Sequence, residues 1–311
     1  MKRPMILFNG MAALELGLTY FFLLTALAGI ALGAPPAYQT AVQNSNPLLY
    51  YQLNETTGPA LNHGSLGTAF EGQYFGTIAR QTATAQGDMG VSFDSSDDYL
   101  ESLSVSPASL SGNATFTIET VIFLATNSTA LWWPPFLHWG DGGGNRTGKE
   151  VFFGLQRDNP NRVYVGFYNG GLRTRLPLTL GQWYHLVMVR QGGSDSSTGT
   201  TLYVNGQSVP LEVDSDLVPG VLVPAMTTST FRINRARDVT RYFTGIMDEV
   251  ALYDRVLTAE EVNSHFATMG NACLARPIGD INLDCRVDLQ DLALLAANWL
   301  QCGLQDPTAC P

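Results

Sequence analysis

The side chains best arranged to hold an ion lie near the carboxyl end, in Asp280-Ile-Asn-Leu-Asp-Cys-Arg-Val-Asp-Leu-Gln-Asp291. Oxygen donors fall at positions 1, 3, 5, 9 and 12 of this stretch: Asp280, Asn282, Asp284, Asp288 and Asp291. Calcium is a hard cation that takes about six to eight oxygens, and this spacing lets one loop wrap a single ion, with the main-chain carbonyl of Arg286 at position 7. Val287 is expected to pack the loop against a core. Position 6 is Cys285, where glycine ordinarily makes the sharp turn. The competing reading is a polar loop whose carboxylates are merely solvated. The helix that follows carries Leu289, Leu292, Ala293, Ala296 and Leu300 as an apolar stripe at helical spacing.

All four cysteines, Cys273, Cys285, Cys302 and Cys310, fall in the same tail. An even cluster without a Cys-x-x-Cys pair points to disulfides rather than zinc, and three pairings stay open. A second group suited to a ligand is aromatic: Trp132-Trp133-Pro-Pro-Phe136, then Trp139 ahead of a glycine run. Flat aromatic faces match the axial C–H groups of sugar rings, which makes Trp132, Trp133 and Trp139 the candidate ligand contacts. Neighbouring side chains of a strand face opposite ways, so one of the paired tryptophans is expected in the core. The two prolines place the run in a loop or at a sheet edge. Trp183 reads as core. Arg173 and Arg175 read as a solvated strand face, with binding of an acidic group as the alternative.

Patterns of catalytic residues are missing. There is no His-Glu-x-x-His, no Gly-x-Ser-x-Gly and no phosphate-binding glycine loop. His63, His138, His185 and His265 are scattered, and His185, within an apolar strand, reads as a hydrogen-bonded core residue. A retaining glycosidase needs two carboxylates about 5–5.5 Å apart, yet Glu119 has no acidic partner along its strand. Asp248 and Glu249 are adjacent, so a regular strand would point them to opposite faces. The cluster Asp94, Asp97 and Asp98 reads as a solvated turn. The chain is expected not to be an enzyme.

The elements that must position these groups are short strands. The chain has 311 residues, 45% hydrophobic and only 14% charged, with 31 glycines, a composition suited to an all-β exported protein. Its net charge of −10 repels phosphate backbones and argues against nucleic acid as a partner. Strands are expected over 47–53, 90–93, 114–123, 151–155, 162–168, 182–190, 200–204, 230–233 and 242–253, separated by polar and glycine turns. The run 182–190 is apolar on both alternating faces and is therefore expected at the centre of a sheet. Asn205-Gly206 fits a type I′ hairpin turn. The loop 191–199 is expected to be polar and mobile. Thr258-Ala-Glu-Glu261 is a capping box that opens a short helix reaching Thr268. Residues 35–47 read as a linker. At the amino end Lys2 and Arg3 precede the apolar run Leu16–Leu32 and then small residues, which reads as an export signal over 1–34, or a retained membrane anchor. The expected division is 1–34 signal, 35–270 sandwich and 271–311 tail.

Six stretches in order, Leu48–Glu55, Val91–Leu100, Phe116–Glu119, Gly181–Val187, Tyr203–Gly206 and Phe243–Leu257, resemble the laminin G-like jelly-roll family of the concanavalin A-like lectin/glucanase superfamily. The resemblance implies an all-β, two-sheet antiparallel jelly-roll sandwich, frequently a ligand- or glycan-binding module. It also implies, for some members, a calcium ion near the first and last strands, for which Asp248 in Met-Asp-Glu-Val is the candidate here. The alternative is a carboxylate that caps a turn. The glucanase-like arrangement Glu-x-Asp-x-x-Glu is absent. Gly279–Leu300 resembles one dockerin type I repeat, the half EF-hand of cellulosomal proteins, in the cysteine-bearing form found near the ends of planctomycete exported proteins. Dockerins carry two such repeats to bind cohesin, and a single one is present here. The combined expectation is a secreted or cell-surface, non-catalytic binding module for polysaccharide or glycoprotein. Calcium is its cofactor, and the tail offers a protein partner a place to attach. A structural envelope, matrix or protein-interaction role, or a diverged glycoside hydrolase or lyase, are the alternatives. Membrane contact is expected only through a retained amino-terminal segment.

Overall fold

The computed structural model describes residues 36–84, 88–94, 97–125, 133–141, 143–156, 161–214, 220–237, 242–270, 278–279, 281 and 287–297. The apolar segment 16–32, Trp132, the four cysteines, Asp280, Asn282, Asp284 and Arg286 lie outside the described residues. In chain order the elements are α1 (Pro36–Asn44), β1 (Leu49–Tyr51), β2 (Gly72–Phe75), β3 (Ala79–Ala83), β4 (Met89–Asp94), β5 (Tyr99–Val105), β6 (Phe116–Leu124) and β7 (Pro135–Trp139). There follow β8 (Val151–Leu155), β9 (Val163–Gly166), β10 (Gly171–Thr174), β11 (Gln182–Arg190), β12 (Thr200–Val204) and β13 (Gln207–Val209). The chain ends with β14 (Leu211–Val213), β15 (Thr230–Ile233), β16 (Thr244–Tyr253), α2 (Ala259–Thr268) and α3 (Leu289–Ala297).

Among the described residues the strands form two antiparallel sheets of eight. The first runs β13-β12-β11-β6-β16-β4-β3, with β1 also paired to β16; the second runs β14-β10-β9-β8-β7-β15-β5-β2. Their inner faces share one core. Ile118, Ile122, Leu186, Met188 and Leu252 of the first sheet cluster with Leu137, Trp139, Phe153, Val165 and Phe231 of the second. β11 pairs with β6 over its length and with β12 over Leu186–Arg190, and it is buried on both faces, as its doubly apolar pattern requires. Asn205 and Gly206 both have positive φ, 50° and 76°, at the β12–β13 turn.

The outer face of the first sheet is covered by α1 and α2. Tyr38 and Val42 of α1 and Val262 of α2 bury against Val121, Val187, Ala251 and Tyr253. This corrects the expectation of a linker over 35–47. Pro36 opens a helix, where its missing N–H would lack an intrahelical partner anyway, and burial of Tyr38 and Val42 holds it to the sheet. The capping box of α2 forms as expected. The Thr258 hydroxyl accepts from the Glu261 N–H at 3.1 Å, and Glu261 accepts from the Thr258 N–H at 2.8 Å. The loop 191–199, expected to be polar and mobile, wraps Arg190: the guanidinium donates to the carbonyls of Asp195, at 2.6 Å, and Ser194.

Pro134 lies just outside the strand, as a loop placement expects, but the run is not at a sheet edge. Pro135 begins β7, which lies inside the second sheet between β15 and β8, and a register shift between Pro135 and Leu137 absorbs the missing N–H. Trp139 at the other end of β7 is fully buried, packed at 5.0 Å from Phe116 and 5.6 Å from Phe231. It presents no face to a ligand, which corrects its assignment as a ligand contact. Trp133 is also buried, beside Tyr164 and Phe152 on the outer side of the second sheet. Its ring is already covered by protein, so it too is corrected.

Candidate functional site

The residue pair Asp248-Glu249 departs from the alternation expected of a strand. One edge of β16 pairs with β4 over Thr244–Met247 and with β1 over 250–252. The two residues between fall in the gap where one neighbour ends and the other begins. On the opposite edge the register with β6 shifts between Asp248 and Ala251, and Glu249 takes a left-handed φ of 54°. Such a bulge inserts an extra residue and breaks the alternation of faces. Met247, Val250 and Leu252 join the core between the sheets, whereas Ile246, Ala251 and Tyr253 join the cluster on the outer face. Asp248 and Glu249 lie between these sets with their carboxylates on one side, a correction to the expectation of opposite faces.

Asp88, just ahead of β4, completes the group. The three carboxylates are buried and offer oxygens within 4.8 Å of one another. Gly90 makes the close approach feasible: a Cβ there would stand 2.7 Å from the Met247 carbonyl oxygen. Glu249 accepts from the Tyr50 hydroxyl of β1 and from Gln39 Nε2 of α1 at 3.1 Å. The Asp248 carboxylate is poorly satisfied: only the Glu249 main chain pulls it toward its charged form. Burial, then the charges of Asp88 and Glu249, raises the Asp248 carboxyl well above the aspartate range. Burial and Asp88 do the same to Glu249, against the pull of its two donors. A buried anion of this kind is stable only when it is neutralised by protons or by a cation. Oxygens within 4.8 Å of one another fall inside the span of ligands around one ion held at about 2.4 Å, within the calcium range. The donor set therefore fits a hard divalent ion.

A second buried carboxylate on the same face is satisfied differently. Glu119 of β6 accepts from Tyr38 at 3.1 Å and Tyr253 at 2.9 Å. It also bonds His185 at 2.7 Å and His265 at 3.0 Å. Burial works against its ionisation, yet the hydrogen bonds from His185 and His265 hold it well below the usual carboxylate range. His265 in turn bonds Ser45, just beyond α1, at 2.8 Å. The network ties both helices to the sheet. It is closed to solvent and has the character of a structural anchor, and His185 is the hydrogen-bonded core residue its strand suggested.

In the tail, Asp288 and Asp291 lie among the described residues. Asp291 is buried and folds back over the loop, accepting from the Ile281 N–H at 2.6 Å and the Asp288 N–H at 2.9 Å. Asp288 accepts from the Gln290 N–H at 2.7 Å. Val287, expected to pack inward, is 57% exposed, and Leu289 and Leu292 of α3 are exposed as well.

The outer face of the second sheet carries an aromatic patch that sequence reading missed. Phe75 of β2 and Tyr99 of β5 are register partners and stack at 4.5 Å, 7° from parallel. The Arg235 guanidinium lies 4.2 Å from the Tyr99 ring centre. Tyr242 is close enough for its phenol, raised chiefly by burial, to feel both Arg235 and Tyr99. All four are half-buried, so the patch is open to contact. No local motif announces it, because Phe75, Tyr99, Arg235 and Tyr242 meet only through strand pairing and a loop. Beside the patch, Asp98 is buried rather than solvated: it accepts from the Asp94 N–H at 3.3 Å, and its carbonyl accepts from Asn234 at 2.8 Å.

No curated protein sequence matches the chain. Among solved structures, Trypanosoma rangeli sialidase is similar at 15% identity and a TM-score of 0.51, covering 74% of this chain and 34% of that one. The binding domain of Paraclostridial Mosquitocidal Protein 1 is similar at 13% identity and a TM-score of 0.51, covering 72% and 52%. Domain 4 of AbnA, an extracellular arabinanase from Geobacillus stearothermophilus in complex with arabinotriose, is similar at 17% identity and a TM-score of 0.45, covering 71% and 98%. The chain thus spans about a third of the sialidase and about half of the toxin chain. At these identities the likeness concerns the fold. The family profile for the concanavalin A-like lectin/glucanases superfamily matches residues 94–263, more than half of the chain. With its two-sheet antiparallel sandwich, the chain belongs to the concanavalin A-like lectin/glucanases superfamily.

Proposed function

We propose that the protein is an exported, non-catalytic glycan-binding module that uses calcium as a structural cofactor. The observation that carries the reading is the half-open patch of Phe75, Tyr99, Arg235 and Tyr242 on the outer face of the second sheet. Stacked aromatic faces supply flat apolar area for sugar rings, and a guanidinium beside them donates to hydroxyl or carboxylate oxygens. Family membership supports a carbohydrate as the partner. The non-catalytic reading is supported by Asp88, Asp248 and Glu249, a cluster of three carboxylates among the described residues, because they are buried where no substrate reaches them. Their chemistry suits calcium at the junction of β1, β4 and β16, where it would pin the first strand to the last. The loop 280–291 is the second proposed calcium site, and the fold of Asp291 over Ile281 and Asp288 supports it. The exposed leucines of α3 favour a protein partner for this dockerin-like tail. Export rests on the amino-terminal charge and apolar pattern, and disulfides on the clustered cysteines.

The test is a polysaccharide and glycan array probed with the full chain, in calcium and in chelator. A hit weakened at least tenfold by Tyr99→Ala is expected. A blank array in both conditions, or a hit indifferent to Tyr99→Ala, sinks the assignment of this patch.

A further inference from the structure

The chain crosses from β13 at the edge of the first sheet to β14 at the edge of the second through Pro210. A cavity of about 240 Å³ opens at this corner, away from the glycan patch and the carboxylate site. Leu178, Tyr184, Val204 and Val209 form its apolar wall, and Leu178, Val204 and Val209 also pack on the main core. The Tyr184 hydroxyl is turned to the main chain of Thr179, bonding its carbonyl at 3.1 Å and its N–H at 2.7 Å. The wall therefore offers little hydrogen bonding to a polar guest. The rim differs. Leu176 is 78% exposed, and Arg175 beside it is exposed with no ion pair or side-chain hydrogen bond among the described residues. The other arginines of this sheet end are engaged: Arg162 and Arg173 both pair with Glu212, at 2.5 and 3.0 Å.

We propose that this cavity binds a small amphiphilic carboxylate, with the aliphatic or aryl body between the sheets and the carboxylate on Arg175. An apolar cavity of about 150 Å³ is known to accept benzene, so the present volume suits about eight to ten carbon atoms. A sugar would leave its hydroxyls unpaired against the apolar wall. A cationic amphiphile would be repelled by Arg175, and a neutral one would gain nothing from it. The site is independent of the glycan reading and stands or falls separately.

The probe is octanoate, with 1-octanol and octylamine as neutral and cationic controls, titrated into the full chain below their micelle-forming range. Methyl resonances report the location. Octanoate is expected to shift Leu178, Val204 and Val209 saturably and to bind more tightly than either control. Arg175→Gln is expected to weaken octanoate about three- to fivefold, the scale of one exposed ion pair, and to leave octanol unchanged. Val209→Trp, which fills the cavity, is expected to abolish both. Equal binding of octanoate and octanol by the native chain, shifts confined to other residues, or no saturable binding overturns the proposal. A normal array hit with no octanoate binding removes this site and leaves the glycan module standing.

Discussion

The Asp88, Asp248 and Glu249 site makes the sharpest forecast, because its carboxylates cannot all stay charged without a counter-ion. Two unit charges within 4.8 Å of each other repel by at least about 3.5 kcal/mol at an effective dielectric of about 20. In the metal-free protein the site therefore retains protons that the unfolded chain has released, consistent with the raised Asp248 and Glu249 carboxyls. The sign follows. Metal-free stability falls as pH rises above the ordinary carboxylate value and stops falling once the folded carboxyls ionise. For each proton retained, the slope is about 1.4 kcal/mol per pH unit, or about 2.7 kcal/mol between pH 7 and pH 5. Calcium at about a hundred times its dissociation constant adds about 2.7 kcal/mol at pH 7, and acid erodes this gain by competition. The assay is denaturant unfolding of the full chain carrying Asp280→Ala, which silences the tail loop, at pH 7 and pH 5, with calcium and with chelator. His265 titrates in both arms, so the difference between arms isolates the carboxylates. Asp248→Asn is expected to lose the calcium gain. An Asp280→Ala chain indifferent to calcium at pH 7, or an Asp248→Asn chain that keeps the full gain, refutes the reasoning.

Three further outcomes are expected. Glu119→Gln leaves two histidines and two tyrosines around a neutral amide and should lower stability by about 3–5 kcal/mol, read by denaturant unfolding. Because the Glu119 carboxyl is held low in the folded state, its contribution is present at neutral pH and is lost as pH falls below the ordinary glutamate value. In the native chain, calcium should slow amide exchange at Ile281 and Asp288, whose N–H groups Asp291 holds, and Asp280→Ala should remove that protection. Trp139→Ala should lower stability by about 3–5 kcal/mol and leave glycan affinity unchanged, since the ring lies in the core; lost affinity in still-folded protein would return Trp139 to the ligand face.

Much of the fold was legible because it is written in local pattern. The doubly apolar run 182–190 sits inside its sheet, Asn205-Gly206 turns a hairpin, and Thr258–Glu261 caps a helix. Each rests on periodicity or on contacts within a few residues. The strands that escaped notice, such as Ala79–Ala83 and Gln207–Val209, are short and polar and exist only because a neighbour pairs with them. Helix α1 reads as a linker because its nine residues are rich in Pro, Gln and Asn, and it is held by burial of Tyr38 and Val42.

The site divides along the same line. Sequence by itself determined that a carboxylate pair stands in Met-Asp-Glu-Val, that oxygen donors are spaced for calcium in the tail, and that no catalytic motif is present. It could not determine that Asp248 and Glu249 act together. Alternation along a regular strand puts neighbours on opposite faces, and only the change of partner from β4 to β1 creates the bulge that breaks it. Nor could it choose the aromatic surface. Adjacent tryptophans are conspicuous in the chain, yet burial depends on what covers a ring. Tertiary structure buried Trp133 and Trp139 and left Phe75 and Tyr99, drawn together by strand pairing, half-open to a ligand.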